Sequence, residues 1–366
     1  MFDFFKTKKN YFVGVDFGTS VIKIVELSLK KEQIYLENYG WVDLGLVPGG
    51  ENSDLPSQVP FDVKLKVMLN ALIKKLKPTS KEAYVSLPSF VGLISLINFP
   101  EMKKEEIEKA IQFEAHKYIP TPLDDVSLSW DIVKKEESKI IPGNQSLPES
   151  ARKIQVLLVA APKKEIKKYN DLFSDSSLTI KVIELETFSL VRSLVGDNMG
   201  TFLIIDIGSR TTNLILTEKG LVLASRSVDA GGNEITNTLA DNLNVSKPRA
   251  ETLKKQKKDF LNGQELAIIV PTLELISNEA LRIINSYKEK NPDVRIDSVI
   301  ISGGSSKMEG IDKYFTKNIG IKAVVGNPWN KIVVNEKLKP TIETLGSSFA
   351  VAIGLAVRGI EEYRRN

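Results

Sequence analysis

Two aspartates carry the first chemical signal in the chain. Asp16 and Asp206 each close an apolar, β-branched run and stand two residues before a glycine. Tyr11 to Leu27 reads YFVGVDFGTSVIKIVEL, and Thr201 to Thr217 reads TFLIIDIGSRTTNLILT. Each is a strand, Asp-x-Gly-[Ser/Thr], and a second strand. A carboxylate at the end of a buried strand is costly unless something pairs with it. A hydrated Mg²⁺ facing both aspartates is such a partner. Gly18 and Gly208 fall where a tight hairpin must turn and the backbone must take unusual angles or approach closely. Either copy alone reads as a hairpin with aspartate as a turn residue. The repetition favours the metal.

A third element points the same way. Ser298 to Ile311 reads SVIISGGSSKMEGI: a strand, then Gly303, Gly304 and Ser305, then the start of a helix. Glycines after a parallel strand let backbone approach a nucleotide, and a helix N-terminus favours the neighbouring phosphate. No GxxxxGK[ST] occurs, so a P-loop is excluded, and no GxGxxG follows a strand.

These residues need a scaffold that presents two hairpins to each other, and the repeat supplies it. After Lys30 and Lys31 comes a third strand, IYLENYGWV; after Glu218 to Gly220 comes LVLASRSVD. The period is far too long for a solenoid, so two related α/β lobes are expected, each opening with an antiparallel meander. A length of 366 residues suits several subdomains. Fifty basic and 46 acidic residues balance too evenly to indicate nucleic acid. The absence of cysteine excludes disulfides, thiolate metal sites and cysteine nucleophiles. Met1 to Asn10, MFDFFKTKKN, has no apolar h-region. The apolar run from Leu345 to Val357 is shorter than the ~20 residues a bilayer requires. A cytosolic protein, held at a membrane only by a partner, is the expectation.

The motifs, their order and their spacing resemble the actin, sugar-kinase and heat-shock-ATPase superfamily over nearly the whole chain. The implied fold is α/β: an actin-like, ribonuclease-H-like two-lobed ATPase with an inserted α+β subdomain in the first lobe. The resemblance implies ATP and Mg²⁺ as ligands. Gly18, Thr19 and Ser20 belong to the first phosphate loop, and Gly208, Ser209, Thr211 and Thr212 to the second, while Asp16 and Asp206 hold the metal. Lys23, seven residues after Asp16, takes the place of a phosphate-contacting lysine, and Asn213 is its counterpart. Gly231 and Gly232 resemble the glycine turn before a helix. Gly303, Gly304, Ser305 and Met308 form the adenosine loop. Glu251 and Lys254 match an adenosine-contacting pair; a solvated i,i+3 ion pair is the competing reading. Glu186 resembles the catalytic glutamate that heat-shock ATPases carry before a connecting helix, and a helix N-terminal carboxylate is its alternative. His116, the only histidine, reads as structural or exposed.

Within the superfamily, VDFGTSVIKIVELS, FEAHKYIPTPLDDV, ETFSLVRSL and GNPWNKI are similar to the PilM family of pilus-assembly proteins. That resemblance implies an ATP-binding scaffold of a type IV pilus or related secretion platform. Its partner would be the cytoplasmic N-terminal peptide of a PilN-like inner-membrane protein, seated between the first lobe and the inserted subdomain. It leaves open slow ATPase turnover, contact with pilus motor ATPases and assembly into homo-oligomers or filaments.

The expected organisation has a first-lobe core at 1–81, completed by 187–199 and 341–366. The inserted subdomain covers 82–186, the second-lobe core 200–245 and 295–340, and a small helical subdomain 246–294. Strands are expected at Ala83–Leu87, Leu93–Phe99, Ser127–Lys134, Ile154–Ala161 and Thr179–Leu185, with helices at Lys103–Ile119 and Lys163–Phe173. Ile107, Ala110, Ile111 and Tyr118 approximate the apolar face of the first helix, and Pro120 and Pro122 stop it. Lys135 to Lys153 reads as a hairpin loop. A helix near Ile268–Tyr287 presents Ile269, Leu273, Ile276, Ala280, Ile283 and Tyr287 on one side. Gly346, Ala350 and Gly354 let a C-terminal helix approach the sheet. Two other relatives fit the loops: an FtsA-like division protein, disfavoured by the charged RGIEEYRRN end, and a small-molecule kinase, for which no substrate-directed acid or base is found.

Overall fold

The computed structural model describes residues 10–45, 60–119, 121–135, 153–263 and 267–365. Most of Met1–Asn10, Pro120 and nearly all of the 135–153 loop lie outside those residues. Two compact units are present, one built from Met1–Pro88 with Asn170–Asn366, the other from Ser89–Tyr169.

The larger unit holds both halves of the repeat. The first half contains β1 (Asn10–Phe17), β2 (Val21–Lys30), β3 (Gln33–Asp43), α1 (Phe61–Leu76) and β4 (Glu82–Leu87). The smaller unit follows: β5 (Leu93–Pro100), α2 (Lys104–Ala115), β6 (Val126–Lys135) and β7 (Lys153–Pro162). The chain continues through α3 (Lys163–Phe173), β8 (Thr179–Leu185) and α4 (Glu186–Leu194). The second half comprises β9 (Thr201–Ile207), β10 (Thr212–Glu218), β11 (Leu221–Val228), α5 (Gly232–Leu243), α6 (Lys247–Lys254), α7 (Pro271–Lys290), β12 (Ser298–Ser302), α8 (Ile311–Ile319) and β13 (Ala323–Val325). Strand β14 (Ile332–Val333), α9 (Lys339–Leu345) and α10 (Ala350–Arg365) return to the first half.

The two large sheets share one plan. In order they run β14-β3-β2-β1-β4-β8 and β11-β10-β9-β12-β13. Each has an antiparallel meander whose first strand pairs in parallel with a later one, β1 with β4 and β9 with β12. The parallel strands are apolar almost throughout, as strands covered on both faces must be: Val13, Val15, Leu203, Ile204, Ile205, Val299 and Ile301 are fully buried.

One difference between the halves lies beneath the fold. Gly14 occupies the place that Ile204 holds in the repeat. A Cβ on Gly14 would sit 2.0 Å from the carbonyl oxygen of Ala352, so only glycine admits α10 against β1. Likewise a Cβ on Gly354 would lie 2.0 Å from Ser189 O on α4. The small residues near the C-terminus therefore serve close packing. The helical stretch Glu336–Arg365 is long and apolar enough to cross a bilayer by length and composition, but most of it is buried here.

Buried charge ties the same helices. Glu184 accepts from Ser189 Oγ at 2.5 Å and from Arg192 at 2.7 and 3.2 Å, and it also pairs with Arg358. Burial would raise the Glu184 carboxyl, but the Arg192 and Arg358 guanidinium groups hold it below the usual range.

The structure shifts several sequence expectations. Strands β4 and β8, expected within the inserted subdomain, pair in the six-stranded sheet, and the compact inserted unit is 89–169 rather than 82–186. That unit has its own sheet, β5-β7-β6, and its own core around Ile107, Ile111, Val156 and Leu158. Helix α2 ends at Ala115, and Tyr118 is exposed rather than on the apolar face. Ile269 precedes α7 and is exposed, whereas Leu273, Ile276, Ala280 and Ile283 join the core of β9, β10 and β12. The glycine loop after β12 leads not into a helix but into a 3₁₀ turn, Gly304–Lys307; α8 starts only at Ile311.

Candidate functional site

The two hairpins close by the same local rule. Gly18 N donates to Val21 O and Gly208 N to Thr211 O, both at 3.0 Å. A Cβ at Gly208 would lie 2.8 Å from Thr211 O, and one at Gly18 3.0 Å from Val21 O. Glycine is required by close approach, not by positive φ. These two N–H groups are thereby spent inside their own turns.

The aspartates occupy equivalent ladder positions. Asp16 faces Lys23 across β1–β2, and Asp206 faces Asn213 across β9–β10. Asp16 is buried, accepting from Lys23 Nζ at 3.1 Å and Ser86 Oγ at 3.3 Å. Asp206 lies beside Ser302 in the parallel register with β12. Burial drives the Asp206 carboxyl up to about 6; a Ser302 hydrogen bond and the Lys23 charge oppose this, and Asp16 adds like-charge repulsion. Ser86 and Ser302, the two hydroxyls holding them, were not singled out in the sequence. Ser86 lies within β4 with no motif around it, and Ser302 is visible only as the residue before Gly303.

The loops also meet. Thr19 Oγ and Ser209 Oγ share a hydrogen bond at 2.6 Å, and Ser20 Oγ donates to Ser209 Oγ at 2.7 Å. Around them the remaining motifs converge. Gly232 N donates to Gly208 O and Asn233 N to Ser209 O, each at 2.8 Å, which seats the start of α5 on the second loop. A Cβ on Gly231 would strike Gly208 O at 2.8 Å; one on Gly232 would lie 2.6 Å from Ser305 Oγ and 3.3 Å from Lys254 Nζ. Gly303 has φ +86°, and its missing Cβ would meet Ile207 O at 2.3 Å. The structure therefore gathers Gly208, Gly231, Gly232, Lys254, Gly303 and Ser305 around one spot.

Several predicted contacts are committed elsewhere. Thr212 Oγ donates to Ala230 O at 2.7 Å, and Met308 is buried. Asn213, placed by sequence as a counterpart of the phosphate-contacting lysine, donates to Glu186 Oε1 at 3.0 Å and accepts from Ser227 Oγ at 2.8 Å. Glu186 is the first residue of α4, so this bond joins the connecting helix to β10. Lys254 is buried, and its three donors serve Gly232 O at 2.9 Å, Thr236 Oγ at 2.8 Å and Glu251 at 2.7 Å. The Glu251–Lys254 pair is no solvated surface pair; it clamps the start of α5 through Gly232 and Thr236. Burial would raise the Glu251 carboxyl, but Lys254 brings it below its ordinary value. His116 is exposed at the end of α2.

The donor set fits a magnesium–nucleotide ligand. Carboxylates at the ends of two strands whose following loops touch suit an ion that keeps most of its waters and shares phosphate oxygens. Among the described residues no group of three or more histidines and carboxylates could form a protein-only cage.

Known proteins agree with this architecture. The family described as "Type IV pilus assembly protein PilM" matches residues 14–360. A solved PilM–PilN type IV pilus biogenesis complex superposes with a TM-score of 0.74 at 22% identity, covering 95% of this chain and 98% of that one. The ethanolamine utilization protein EutJ of Carboxydothermus hydrogenoformans superposes with a TM-score of 0.52 at 17% identity, covering 95% and 89%. EutJ of Escherichia coli K12 is 30% identical over 122 residues, which span 33% of this chain and 38% of that relative's length. The fold is the actin-like ATPase fold.

Proposed function

Because this chain belongs to the type IV pilus assembly protein PilM family, we propose that it is a cytoplasmic scaffold of the pilus assembly platform whose partner binding answers to ATP–Mg²⁺. The partner is the cytoplasmic N-terminal peptide of a PilN-like inner-membrane protein, which holds the scaffold at the membrane. The observation that carries the nucleotide half is the meeting of the two Asp-x-Gly loops, Thr19 and Ser20 of the first bonded to Ser209 of the second. Two carboxylates at one place favour a divalent cation.

When bound, Mg²⁺ would neutralise phosphate charge and leave its waters to the carboxylates. Asp16 and Asp206 orient that hydrated ion. Lys23, anchored on Asp16, meets phosphate as a point charge. Gly303, Gly304 and Ser305 allow backbone to approach the nucleoside, while Lys254 positions the Gly231–Gly232 turn rather than donating to the ligand. Glu186 would orient water, but its carboxylate already accepts from Asn213, so intrinsic turnover is slow. Both lobes touch one ligand, and binding biases their equilibrium by its differential affinity for open and closed forms.

Titrating the peptide with and without ATP–Mg²⁺ tests the scaffold reading. Coupling must be reciprocal: if nucleotide alters peptide affinity, peptide alters nucleotide affinity by the same factor. Identical peptide affinity in both conditions would remove the nucleotide dependence, and no peptide binding would remove the partner.

A further inference from the structure

One end of the larger unit gathers exposed cations far from the aspartates. Asn10 opens β1 opposite Leu29, so residues 1–9 join the sheet beside the turn that follows Lys30. Asp16 lies six residues farther along β1, roughly 20 Å away at the rise of a strand. The end of α10 reaches the same turn. Arg364 Nη2 donates to Glu32 O at 3.0 Å and pairs with its carboxylate at 3.2 Å, and the ring centres of Phe12 and Tyr363 stand 6.0 Å apart.

The turn is built against local preference. Lys31 and Glu32 have φ of 48° and 63°, the left-handed pair that Asn-Gly adopts most readily. The repeat has Lys219 and Gly220 at its own turn, with φ of 53° and 74°. Glu32 holds Arg364. Lys30 and Lys31, by contrast, are exposed, and neither side chain has a hydrogen bond or ion pair among the described residues. The acids of the last helical turns are already paired, Glu361 with Arg192 at 3.2 Å and Glu362 with Arg358 at 3.0 Å. Arg365 and Tyr363 are exposed beside them. Residues 1–9, which lie outside the described residues, read MFDFFKTKK: three phenylalanines and three lysines against one aspartate. Aromatic residues next to lysines are the composition of segments that lie in a membrane interface, and each cation near an anionic leaflet strengthens attachment.

We infer that this end of the protein is a contact surface for anionic phospholipid, with Phe2, Phe4 and Phe5 entering the interface and Lys30 and Lys31 meeting the headgroups. Lys6, Lys8 and Lys9 lead into β1 and add their charge to the same end. Such contact goes beyond the scaffold reading, in which only the partner reaches the membrane, and it needs no nucleotide. The aspartates, at the far end of β1, stay clear of the lipid.

Co-sedimentation of the full chain with phosphatidylglycerol-rich vesicles and with pure phosphatidylcholine vesicles tests this, beside thermal melting without lipid. Wild type should sediment with the anionic vesicles only. It should lose most of that binding as salt rises from about 0.05 to about 0.5 M. Phe4→Ser combined with Phe5→Ser should weaken binding roughly tenfold, as should Lys30→Glu combined with Lys31→Glu, both without a change in melting temperature. Lys30→Arg with Lys31→Arg keeps the charge and should bind as wild type does. No sedimentation of wild type, or equal sedimentation with both kinds of vesicle, overturns the lipid contact. A phenylalanine variant that melts lower yet binds vesicles undiminished shows rings packed on the protein itself and overturns it too. Undiminished binding by the Lys30→Glu, Lys31→Glu variant removes the turn from the surface and contradicts it likewise.

Discussion

The two Asp-x-Gly hairpins are the same device given different cross-strand residues. Both end an apolar strand in aspartate, both close through a glycine N–H bonded three residues ahead, and both set a serine on the parallel neighbour beside the aspartate. Across the ladder, however, Asp16 meets a lysine and Asp206 meets an asparagine. The first hairpin therefore carries its own counter-charge. The second leaves its aspartate to be balanced by Lys23 from the other lobe, and uses Asn213 to hold the connecting helix through Glu186. One hairpin pairs its own aspartate; its copy bonds the first residue of α4.

The same contrast runs into the scaffold, and breaking it there should have the largest effect. Replacing Gly14 by isoleucine, the residue its repeat carries, should cost roughly 3 kcal/mol or more, or prevent folding, because α10 lies against the bare backbone. Denaturant unfolding would show it; an unaltered midpoint would mean the helix stands farther off.

Next comes the division of labour between the cross-strand residues. Lys23→Met should weaken ATP–Mg²⁺ binding about tenfold or more and also lower the melting temperature, because buried Asp16 loses its counter-charge. Asn213→Ala should spare that affinity while costing about 1–3 kcal/mol of stability by stripping partners from Ser227 and Glu186. Similar profiles for the two variants would mean the hairpins are not specialised.

Acid–base behaviour separates the aspartates further. The native Asp206 carboxyl titrates near 6 against an ordinary 3.8, so between those values the folded protein binds more proton than the unfolded chain. Its contribution to stability is therefore full below about pH 4 and lost as pH rises through about 6. Asp206→Asn should remove that loss and stabilise the unliganded protein at neutral pH. A variant whose stability follows the wild-type pH profile would show that Asp206 ionises at no cost.

The smallest expected effect belongs to the hydroxyls where the loops touch. Ser209→Ala removes both bonds to Thr19 and Ser20 at a half-exposed position, and should shift stability by about 0.5–1 kcal/mol at most.

Much of this was legible in the sequence because a repeat and a period-two pattern are local signals. The Asp-x-Gly hairpins, the meanders, the strands flanking the inserted unit and the glycine loop could all be read from residue order. What could not be read depends on which elements meet. Asn213 sits in the lysine's place, and only the fold shows that Glu186 claims its amide. Lys254 matches a ligand-contacting lysine, yet its three donors are consumed by Gly232, Thr236 and Glu251. Strands β4 and β8 lie at either end of the inserted segment, and pairing with β1 and with each other, not composition, assigns them to the larger sheet.

The most direct test is calorimetric titration of wild type and Asp16→Ala with ATP–Mg²⁺, the fold of both confirmed by circular dichroism. Saturable binding by wild type that Asp16→Ala largely abolishes is the predicted result. Equal affinity in the two proteins would contradict a ligand shared between the aspartates.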